Sequence, residues 1–148
     1  VSSDKGLESV VAELLLKKNL TIATAESCTG GMLAAKLIDY PGISDVYREG
    51  FVTYTEESKE SRLSVSAETL EENGVVSEEV AKEMAKGVSE VAGTDIGVGI
   101  TGLAGPNGGT EQTPIGTVYV AIYDRGEYFL AHSLPPAFAF CYFSMGSG

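Results

Sequence analysis

The alternation of apolar and polar positions predicts a strand, a tight turn and a helix early in the chain. Residues from Leu20 to Ala25 are apolar or β-branched, as in a buried strand. Residues from Met32 to Asp39 are rich in Ala and Leu and predict a helix that ends at Tyr40-Pro41-Gly42. The stretch from Thr24 to Gly31 therefore carries the change from strand to helix, and the other elements are predicted around it.

Three further helices follow from the spacing of apolar residues and from capping residues. Ser3 or Asp4 caps the first, Ser66 caps a short one that ends at Asn73-Gly74, and Ser77 caps a longer one that ends at Gly93. The first helix is predicted to turn one apolar side to the core: Leu7, Val10, Val11, Leu14 and Leu15. The longest is predicted to bury another stripe: Val80, Ala81, Met84, Ala85, Val88 and Val91.

Four more strands complete the predicted sheet. They span Gly50 to Tyr54, Asp95 to Thr101, Gly116 to Tyr123 and Glu127 to Leu134. Asp124-Arg125-Gly126 predicts a hairpin turn between the last two. The polar segment Thr55 to Lys59 is expected on a rim beyond the second strand. Together the elements predict an α/β fold with three α/β/α layers and a mixed sheet of about five strands.

Composition narrows the class of protein. A length of 148 residues suits one domain, and a net charge of -11 argues against a nucleic-acid partner. No stretch has the length of a membrane span or the layout of a signal peptide, so a cytoplasmic protein with no membrane partner is expected. Cys28, Cys141 and the single His132 form no metal-binding pattern, and neither a metal nor another cofactor is expected.

Ser27 is the leading candidate for a nucleophile. The turn that carries it leads into a helix, whose first N–H groups and positive dipole end favour an anion. Gly30 and Gly31 lack Cβ atoms, so a ligand is able to approach the main chain. The structural alternative is that Ser27 only caps the helix.

A serine nucleophile needs a base, and the sequence leaves two kinds open. His132 lies far along the chain with no nearby Asp partner, which disfavours a histidine triad. Lys59 serves instead if burial leaves its amine neutral, and Tyr54 relays or shares the proton. The structural alternatives are a surface lysine beside Glu56 and a tyrosine that packs on the core.

Two other candidates remain beside Ser27. Cys28 is a competing nucleophile if the helix terminus lowers the pKa of its thiol, or else a small buried residue. Glu26 accepts a substrate hydroxyl or pairs with a backbone donor. The loop from Gly102 to Thr110 is interpreted as an anion cradle or a flexible crossover, and it matches neither the P-loop nor the dinucleotide pattern.

Three segments in this order resemble a known family, the CinA C-terminal domains, which are nicotinamide mononucleotide deamidases. The resemblance runs from about Leu7 to about Leu130. The matching segments are Thr24-Ala25-Glu26-Ser27-Cys28-Thr29-Gly30-Gly31, then Gly50-Phe51-Val52-Thr53-Tyr54, then Thr101-Gly102-Leu103-Ala104-Gly105-Pro106-Asn107-Gly108-Gly109 with Pro114-Ile115-Gly116-Thr117-Val118.

The resemblance implies an amidohydrolase that converts nicotinamide mononucleotide to nicotinate mononucleotide and ammonia. It assigns the catalytic roles to Ser27, Tyr54 and Lys59, with no metal or organic cofactor. The small-molecule nucleotide substrate is expected to contact two loops: Glu26, Cys28, Thr29, Gly30, Gly31, Thr101, Gly102, Ala104, Gly105, Gly108 and Gly109.

The sequence also departs from the family pattern. Glu56 stands where the family has an amide side chain, and residues 135–148 lack the family's long helix and its arginine. The expected division is therefore a domain over 1–134 and an atypical tail over 135–148, with a homo-oligomer covering apolar sheet surface. A catalytically silent nucleotide-binding or regulatory module of the same fold is the alternative function.

Overall fold

The computed structural model describes residues 6–133, in which strands and helices alternate before a final hairpin. No helix in this range is long and apolar enough to cross a bilayer. A 3₁₀ turn, Ile43–Asp45, precedes the second strand. The elements are α1 (Leu7–Lys18), β1 (Ile22–Glu26), α2 (Met32–Ile38), β2 (Tyr47–Val52), α3 (Glu56–Leu63), α4 (Ala67–Asn73), α5 (Glu78–Ala92), β3 (Ile96–Gly102), β4 (Val118–Asp124) and β5 (Glu127–Ser133).

The five strands form one mixed sheet in the order β2-β1-β3-β4-β5. The β2, β1 and β3 strands are parallel, and β4 and β5 are added antiparallel to them. The chain leaves β1 to one side for β2 and returns to the other side for β3. Because parallel crossovers are right-handed, the two connections place their helices on opposite faces of the sheet. The predicted three-layer α/β/α fold with five strands is confirmed.

Side-chain alternation along the strands divides the core between the two faces. Ile22, Val98 and Ile100 pack against α1 and α2, whereas Ala23 and Ala25 pack against α3, α4 and α5. Each short central strand is thus apolar on both sides, as parallel strands between helical layers must be. Thr21 joins β1 to the start of β3, because its N–H and hydroxyl both donate to the Asp95 carboxylate, at 3.0 and 3.1 Å.

Two glycines of β3 let α5 lie directly on the sheet. A Cβ at Gly99 would overlap the carbonyl oxygen of Ala81 and lie 2.6 Å from the backbone nitrogen of Ala85. A Cβ at Gly97 would meet the Ala85 carbonyl in the same way. These obstacles belong to helix backbone, which cannot turn aside as a flexible side chain does. The contact therefore fixes the distance between α5 and β3.

The prediction for the apolar side of α1 was wrong. Ala12 and Leu15 are the buried residues of this helix, whereas most of the predicted stripe is exposed: Leu7, Val10, Val11 and Leu14. Apolar residues surround much of α1, and only one side of a surface helix meets the sheet. Because Ala12 is small, the side of α1 that carries it lies close to the sheet, and the larger apolar residues on the other sides of the helix face outward. In α5 the predicted stripe is buried except for Val91, the next-to-last residue of the helix, which is 52% exposed.

The largest error concerns the segment after β2. That strand ends at Val52, not Tyr54, and the polar segment from Thr55 to Lys59 begins the helix α3; Thr55, Glu56 and Glu57 are exposed as expected of a rim, but Lys59 is buried. Thr55 caps it, since its hydroxyl accepts from Ser58 N at 3.1 Å and its N–H donates to Ser58 Oγ at 3.2 Å. The other strand bounds differ from prediction by a few residues, which is the normal uncertainty at element ends.

Several predictions fall outside the described residues. They are the caps Ser3 and Asp4, the end of the last strand at Leu134, Cys141 and the tail 135–148. The caps Ser66, Ser77 and Gly93 lie where predicted. The expected homo-oligomer stays a prediction, although β4 and β5 expose apolar residues that one would cover: Ile122, Tyr128, Phe129 and Leu130.

Replacing Gly99 by alanine is expected to destabilise the fold by about 2 kcal/mol, because the new methyl group must separate α5 from β3. Urea denaturation monitored by circular dichroism measures this. Glu72→Ala, on the exposed side of α4, is the control and is expected to stay within about 0.5 kcal/mol. Equal stability of the two variants would contradict the proposed close contact.

Candidate active site

Ser27 lies where β1 ends, at the point where the chain's connections diverge to the two sides of the sheet. Its N–H donates to the carbonyl oxygen of Ile100 at 3.1 Å, which continues the β1–β3 pairing by one residue. Neighbouring residues of a strand point to opposite faces. Glu26 accordingly points toward α2, and Ser27 points toward the face covered by α3 and α5. Such a switch point is the usual location of a ligand crevice in an open α/β sheet.

Lys59 reaches Ser27 from the first turns of α3, and its side chain is completely buried. Its Nζ lies 3.0 Å from Ser27 Oγ. The same amine donates to the carbonyl oxygens of Thr53, at 2.8 Å, and Tyr54, at 3.5 Å. The alternative of a surface lysine beside Glu56 is therefore wrong, and two main-chain carbonyls hold the amine against the serine hydroxyl.

Burial lowers the pKa of Lys59 below that of an ordinary lysine. The neighbouring Cys28 and Glu56 act in the opposite direction, but their effect is smaller than that of desolvation. No carboxylate of the described residues forms a salt bridge with the amine. The environment therefore shifts this lysine toward the neutral amine, which is the form that accepts a proton.

A cavity of about 330 Å³ opens onto the Ser27–Lys59 pair. Three loops that follow β1, β2 and β3 meet there, as the sequence predicted from the shared edge of parallel strands. A fourth wall comes from the connection between α4 and α5. The lining residues are Ser27, Cys28, Tyr54, Lys59, Val75, Val76, Thr101, Gly102, Leu103, Ala104, Gly105 and Asn107.

Glu26 has a structural role on the other side of the sheet. Its buried carboxylate accepts from the Thr29 hydroxyl at 2.6 Å and from the N–H groups of Leu33 and Ala34 at 2.9 and 3.1 Å. The Glu26 side chain, which comes from β1, therefore binds the first free N–H groups of α2. The expectation that these helix donors await a substrate anion was wrong, because an internal carboxylate already satisfies them.

Cys28 lines the cavity but is a poor candidate for the nucleophile. Desolvation by burial raises the pKa of its thiol, although the N–H groups of Cys28 and Thr29 oppose this effect. At neutral pH the protonated thiol is therefore favoured over the thiolate. The side chain packs against the apolar cluster between the sheet and α1, as the structural alternative predicted.

The predicted substrate contacts divide into three groups. Four of them line the cavity with Cys28: Thr101, Gly102, Ala104 and Gly105. Gly108 lines a neighbouring cavity of about 230 Å³ that shares Val75, Val76 and Leu103 with the first. The remaining positions line neither cavity: Glu26, Thr29, Gly30, Gly31 and Gly109. The Thr101 hydroxyl itself donates to the carbonyl oxygen of Val75 at 2.8 Å and so holds two walls together.

Tyr54 stands at the mouth of the cavity with its side chain 74% exposed. The alternative of core packing is therefore wrong. Its hydroxyl forms no hydrogen bond with Ser27, Lys59 or any other residue in 6–133. His132 lies on β5 against the ring of Tyr119, with ring centroids 5.8 Å apart, and does not line the cavity.

Sequence reasoning missed the apolar wall and the main-chain acceptors of the site. Val75 and Val76 follow a helix terminator, Asn73-Gly74, which marked a loop but gave no sign of where that loop lies. The carbonyl oxygen of Thr53 has no side-chain signal at all. Among residues 6–133, no group of three or more His, Cys, Asp and Glu side chains is placed to hold a metal ion.

Fold and site together define an α/β domain with a buried serine–lysine pair at the switch point of its sheet. The chain belongs to the CinA C-terminal domain family, whose model matches residues 4–134. A competence-damage inducible protein of Clostridium botulinum is 57% identical over 129 residues, which are 87% of this chain and 32% of the relative. This chain thus spans about a third of the length of the curated relatives it matches.

Solved structures of the same superfamily have the same fold. A CinA superfamily protein from Escherichia coli is 43% identical and superposes with a TM-score of 0.82 over 86% of this chain and 74% of that one. One from Enterobacter cloacae is 32% identical, with a TM-score of 0.85 over 99% and 94% of the two chains. The family resemblance predicted from the three sequence segments is confirmed.

The burial of Lys59 is expected to make stability depend on pH. Because the lysine pKa is lower in the folded than in the unfolded protein, the unfolded state binds more protons between that lowered value and the ordinary value of about 10.4. Stability should therefore rise with pH across this window, and Lys59→Met should remove that rise. Urea denaturation at several pH values measures the difference between the two proteins.

Lys18→Met is the matched control, since Lys18 is exposed in the last turn of α1. The difference in the free energy of unfolding between Lys18→Met and the unmodified protein should not change over the same pH range. A difference for Lys59→Met that is equally independent of pH would show that burial leaves this amine with the pKa of a surface lysine.

Proposed function

We propose that this chain is an amidohydrolase that converts nicotinamide mononucleotide to nicotinate mononucleotide and ammonia, with Ser27 as nucleophile and Lys59 as base. The observation that carries the proposal is the 3.0 Å separation of Lys59 Nζ and Ser27 Oγ inside a cavity. An amine within hydrogen-bond reach of a serine hydroxyl is the geometry of an activated nucleophile. The choice of substrate rests on the family resemblance.

The surroundings of Lys59 favour the transfer of a proton from the Ser27 hydroxyl to the lysine amine. A neutral amine has two N–H donors and one lone pair. When the two donors point at the carbonyl oxygens of Thr53 and Tyr54, the lone pair is left for the hydroxyl of Ser27. Lys59 then accepts the Ser27 proton while the serine oxygen bonds to the carboxamide carbon, and the carbonyl oxygens of Thr53 and Tyr54 stabilise the resulting ammonium.

The backbone of the Ser27 turn supplies donors for the developing oxyanion. Ser27 N–H and Gly30 N–H are engaged with the carbonyls of Ile100 and Ser27. The N–H groups of Cys28 and Thr29 make no backbone hydrogen bond in the described range and lie close enough to the Cys28 sulfur to oppose the rise of its pKa. We assign the oxyanion to the Cys28 N–H, because Cys28 lines the cavity beside Ser27; such a donor is worth roughly 3 kcal/mol in comparable sites.

Collapse of the tetrahedral intermediate completes the first half of the reaction. The Lys59 ammonium returns its proton to the amide nitrogen, the carbon–nitrogen bond breaks, and ammonia leaves an acyl group on Ser27. Lys59, neutral again, takes a proton from water as the water oxygen attacks the acyl carbon. The bond between the carbon and Ser27 Oγ then breaks as the Lys59 ammonium returns that proton to the serine oxygen, so the acid leaves and one water is consumed for each ammonia formed.

Loss of either member of the pair should abolish ammonia release. With nicotinamide mononucleotide as substrate, Ser27→Ala is expected to reduce kcat by at least about 1,000-fold and Lys59→Met by at least about 100-fold. A coupled ammonia assay measures both, and calorimetry checks that each variant still binds the nucleotide. Ser61→Ala and Lys18→Met, both at exposed positions, should retain full activity.

The results separate the enzyme from the alternative function. Saturable nucleotide binding without ammonia release from the unmodified chain would identify a silent binding module. Full activity in Ser27→Ala would rule out the assigned nucleophile and leave Cys28 as the next candidate.

The pH dependence of the reaction should follow the protonation state of the Lys59 amine. Only the neutral amine accepts a proton, so kcat/KM is expected to rise as the pH increases through the lowered pKa of this lysine and to level off below about 10.4. Steady-state rates across the pH range measure this limb. A rate that rises only near the ordinary lysine value would mean that another group acts as the base.

A further inference from the structure

The hydroxyl of Thr53 is the one buried polar side-chain atom within residues 6–133 that has no hydrogen-bond partner there. The residue is only 2% exposed, and both of its main-chain groups are bonded. Its N–H donates to the carbonyl oxygen of Glu26 at 2.9 Å, and its carbonyl oxygen accepts from Lys59 Nζ at 2.8 Å. Folded proteins pair nearly all their buried polar groups, because an unpaired one costs free energy. The resting fold thus gives this hydroxyl no role.

Strand register places the hydroxyl on the same side of the sheet as the serine–lysine pair. Glu26 pairs with Val52 across β1 and β2. The next residue of each strand, Ser27 and Thr53, therefore point to a common face. Phe51, two residues before Thr53, packs against the core beneath α3, α4 and α5. Because the lysine amine enters this layer from α3 and bonds to the carbonyl oxygen of the same threonine, the hydroxyl is its close neighbour.

The amine of Lys59 has too few good acceptors once it is protonated. A neutral amine has two N–H donors, whereas an ammonium has three. The carbonyl oxygen of Thr53 lies at 2.8 Å and the Ser27 hydroxyl at 3.0 Å, but the carbonyl oxygen of Tyr54, at 3.5 Å, is at the limit of a hydrogen bond. No carboxylate of the described residues forms a salt bridge with the amine. The buried charge therefore relies on neutral oxygens, of which one is poorly placed.

An unpartnered hydroxyl is able to supply the missing acceptor. Rotation about the Cα–Cβ bond of Thr53 carries Oγ1 between staggered positions and breaks no hydrogen bond within residues 6–133. A hydroxyl oxygen has two lone pairs, and hydrogen bonds from a charged donor are stronger than those between neutral groups. This rotation is therefore favoured when charge appears on the amine.

We propose that Thr53 is a positioning residue whose hydroxyl accepts a hydrogen bond from Lys59 while this lysine carries the serine proton. The hydroxyl holds the ammonium in place until the proton is returned, and it does not touch the substrate, since Thr53 does not line the cavity. The inference rests on the proposed function for the step at which the charge arises, but the hydrogen bond itself requires only that Lys59 be protonated.

Titration of Lys59 in the unliganded chain tests the proposal without turnover. Nuclear magnetic resonance of chains with ¹³C-labelled lysine follows the Cε signal of Lys59, which is identified by its loss in Lys59→Met. Thr53→Val removes the hydroxyl but keeps the shape of the side chain. It should lower the midpoint of this titration by about one pH unit, because the ammonium loses an acceptor. Thr53→Ser keeps the hydroxyl and should leave the midpoint within about 0.3 pH units.

The other titratable groups that act on the amine stay in place in these variants. They are Cys28, in the turn after β1, and Glu56, at the start of α3. The buried side of α5 carries no titratable residue. A changed midpoint in Thr53→Val therefore reports the loss of the hydroxyl.

Stability separates this role from an ordinary structural hydrogen bond. Above the lowered pKa of Lys59, Thr53→Val should unfold at an equal or higher urea concentration than the unmodified chain, since it loses no hydrogen bond. As the pH falls through that pKa, its urea midpoint should drop below that of the unmodified chain. Thr24→Val is the matched contrast, because the buried Thr24 hydroxyl is bonded to Tyr47 at 2.7 Å on the opposite face of the sheet. This variant should be less stable at every pH and leave the Lys59 titration unchanged.

Kinetics with nicotinamide mononucleotide extends the test to the reaction. Thr53→Val should reduce kcat about tenfold with KM within about threefold, because a poorly held ammonium makes Lys59 a weaker base. The rising limb of kcat/KM should move to lower pH in the same variant. Thr53→Ser should keep kcat within about threefold of the unmodified chain.

Three results would overturn the proposal: an unchanged Lys59 midpoint in Thr53→Val, a loss of stability at every pH like that of Thr24→Val, or an unchanged kcat in an active chain. If the valine variant does not fold, Thr53→Ala and Thr53→Ser give the same comparison, since they differ only in the hydroxyl. A shifted midpoint in a chain that releases no ammonia would support the role of Thr53 and refute the amidohydrolase. Ammonia release with an unchanged midpoint would do the reverse.

Discussion

The structure depends on one buried contact, the amine of Lys59 against the hydroxyl of Ser27. A lysine with no exposed surface normally costs stability, since desolvation disfavours its charge. Here the cost is limited because two main-chain carbonyls and one hydroxyl satisfy the amine. Placing this group requires α3 to begin immediately after β2, so that a helix returns a side chain to the strand end that carries Ser27.

Two adjacent residues at the end of β1 divide the work between the faces of the sheet. Glu26 fastens the start of α2 through three hydrogen bonds, while Ser27 faces the cavity. The turn after β1 looks like an anion-binding site in the sequence, but on the side that faces α2 its role is structural. Its helix-facing donors are satisfied from within, whereas the Cys28 and Thr29 N–H groups make no backbone hydrogen bond within residues 6–133. Strand alternation alone separates the two roles.

Sequence periodicity predicted the layers, the strand count and the caps of α4 and α5, because these follow from local patterns. It failed where tertiary packing decides. The run from Glu56 to Leu63 is too polar to look like a buried element, yet α3 needs only Lys59 and Leu63 to face inward. Likewise α1 has apolar residues on several sides, and the close approach at Ala12 selected one of them. Ser27, Lys59 and the loop after β3 could be placed together from strand order, but the Thr53 carbonyl and the Val75–Val76 wall could not.

The antiparallel hairpin has a practical consequence. In the sheet, Asp124 pairs with Ile96 and Val118 pairs with Gly102. The exposed turn at Arg125 and Gly126 therefore sits beside the amino end of β3, whereas the cavity opens at its carboxyl end. A fluorophore or affinity tag inserted into this turn would stand at the far end of the sheet, where loop tips tolerate added residues. Such a handle would allow the chain to be immobilised with the cavity mouth left accessible.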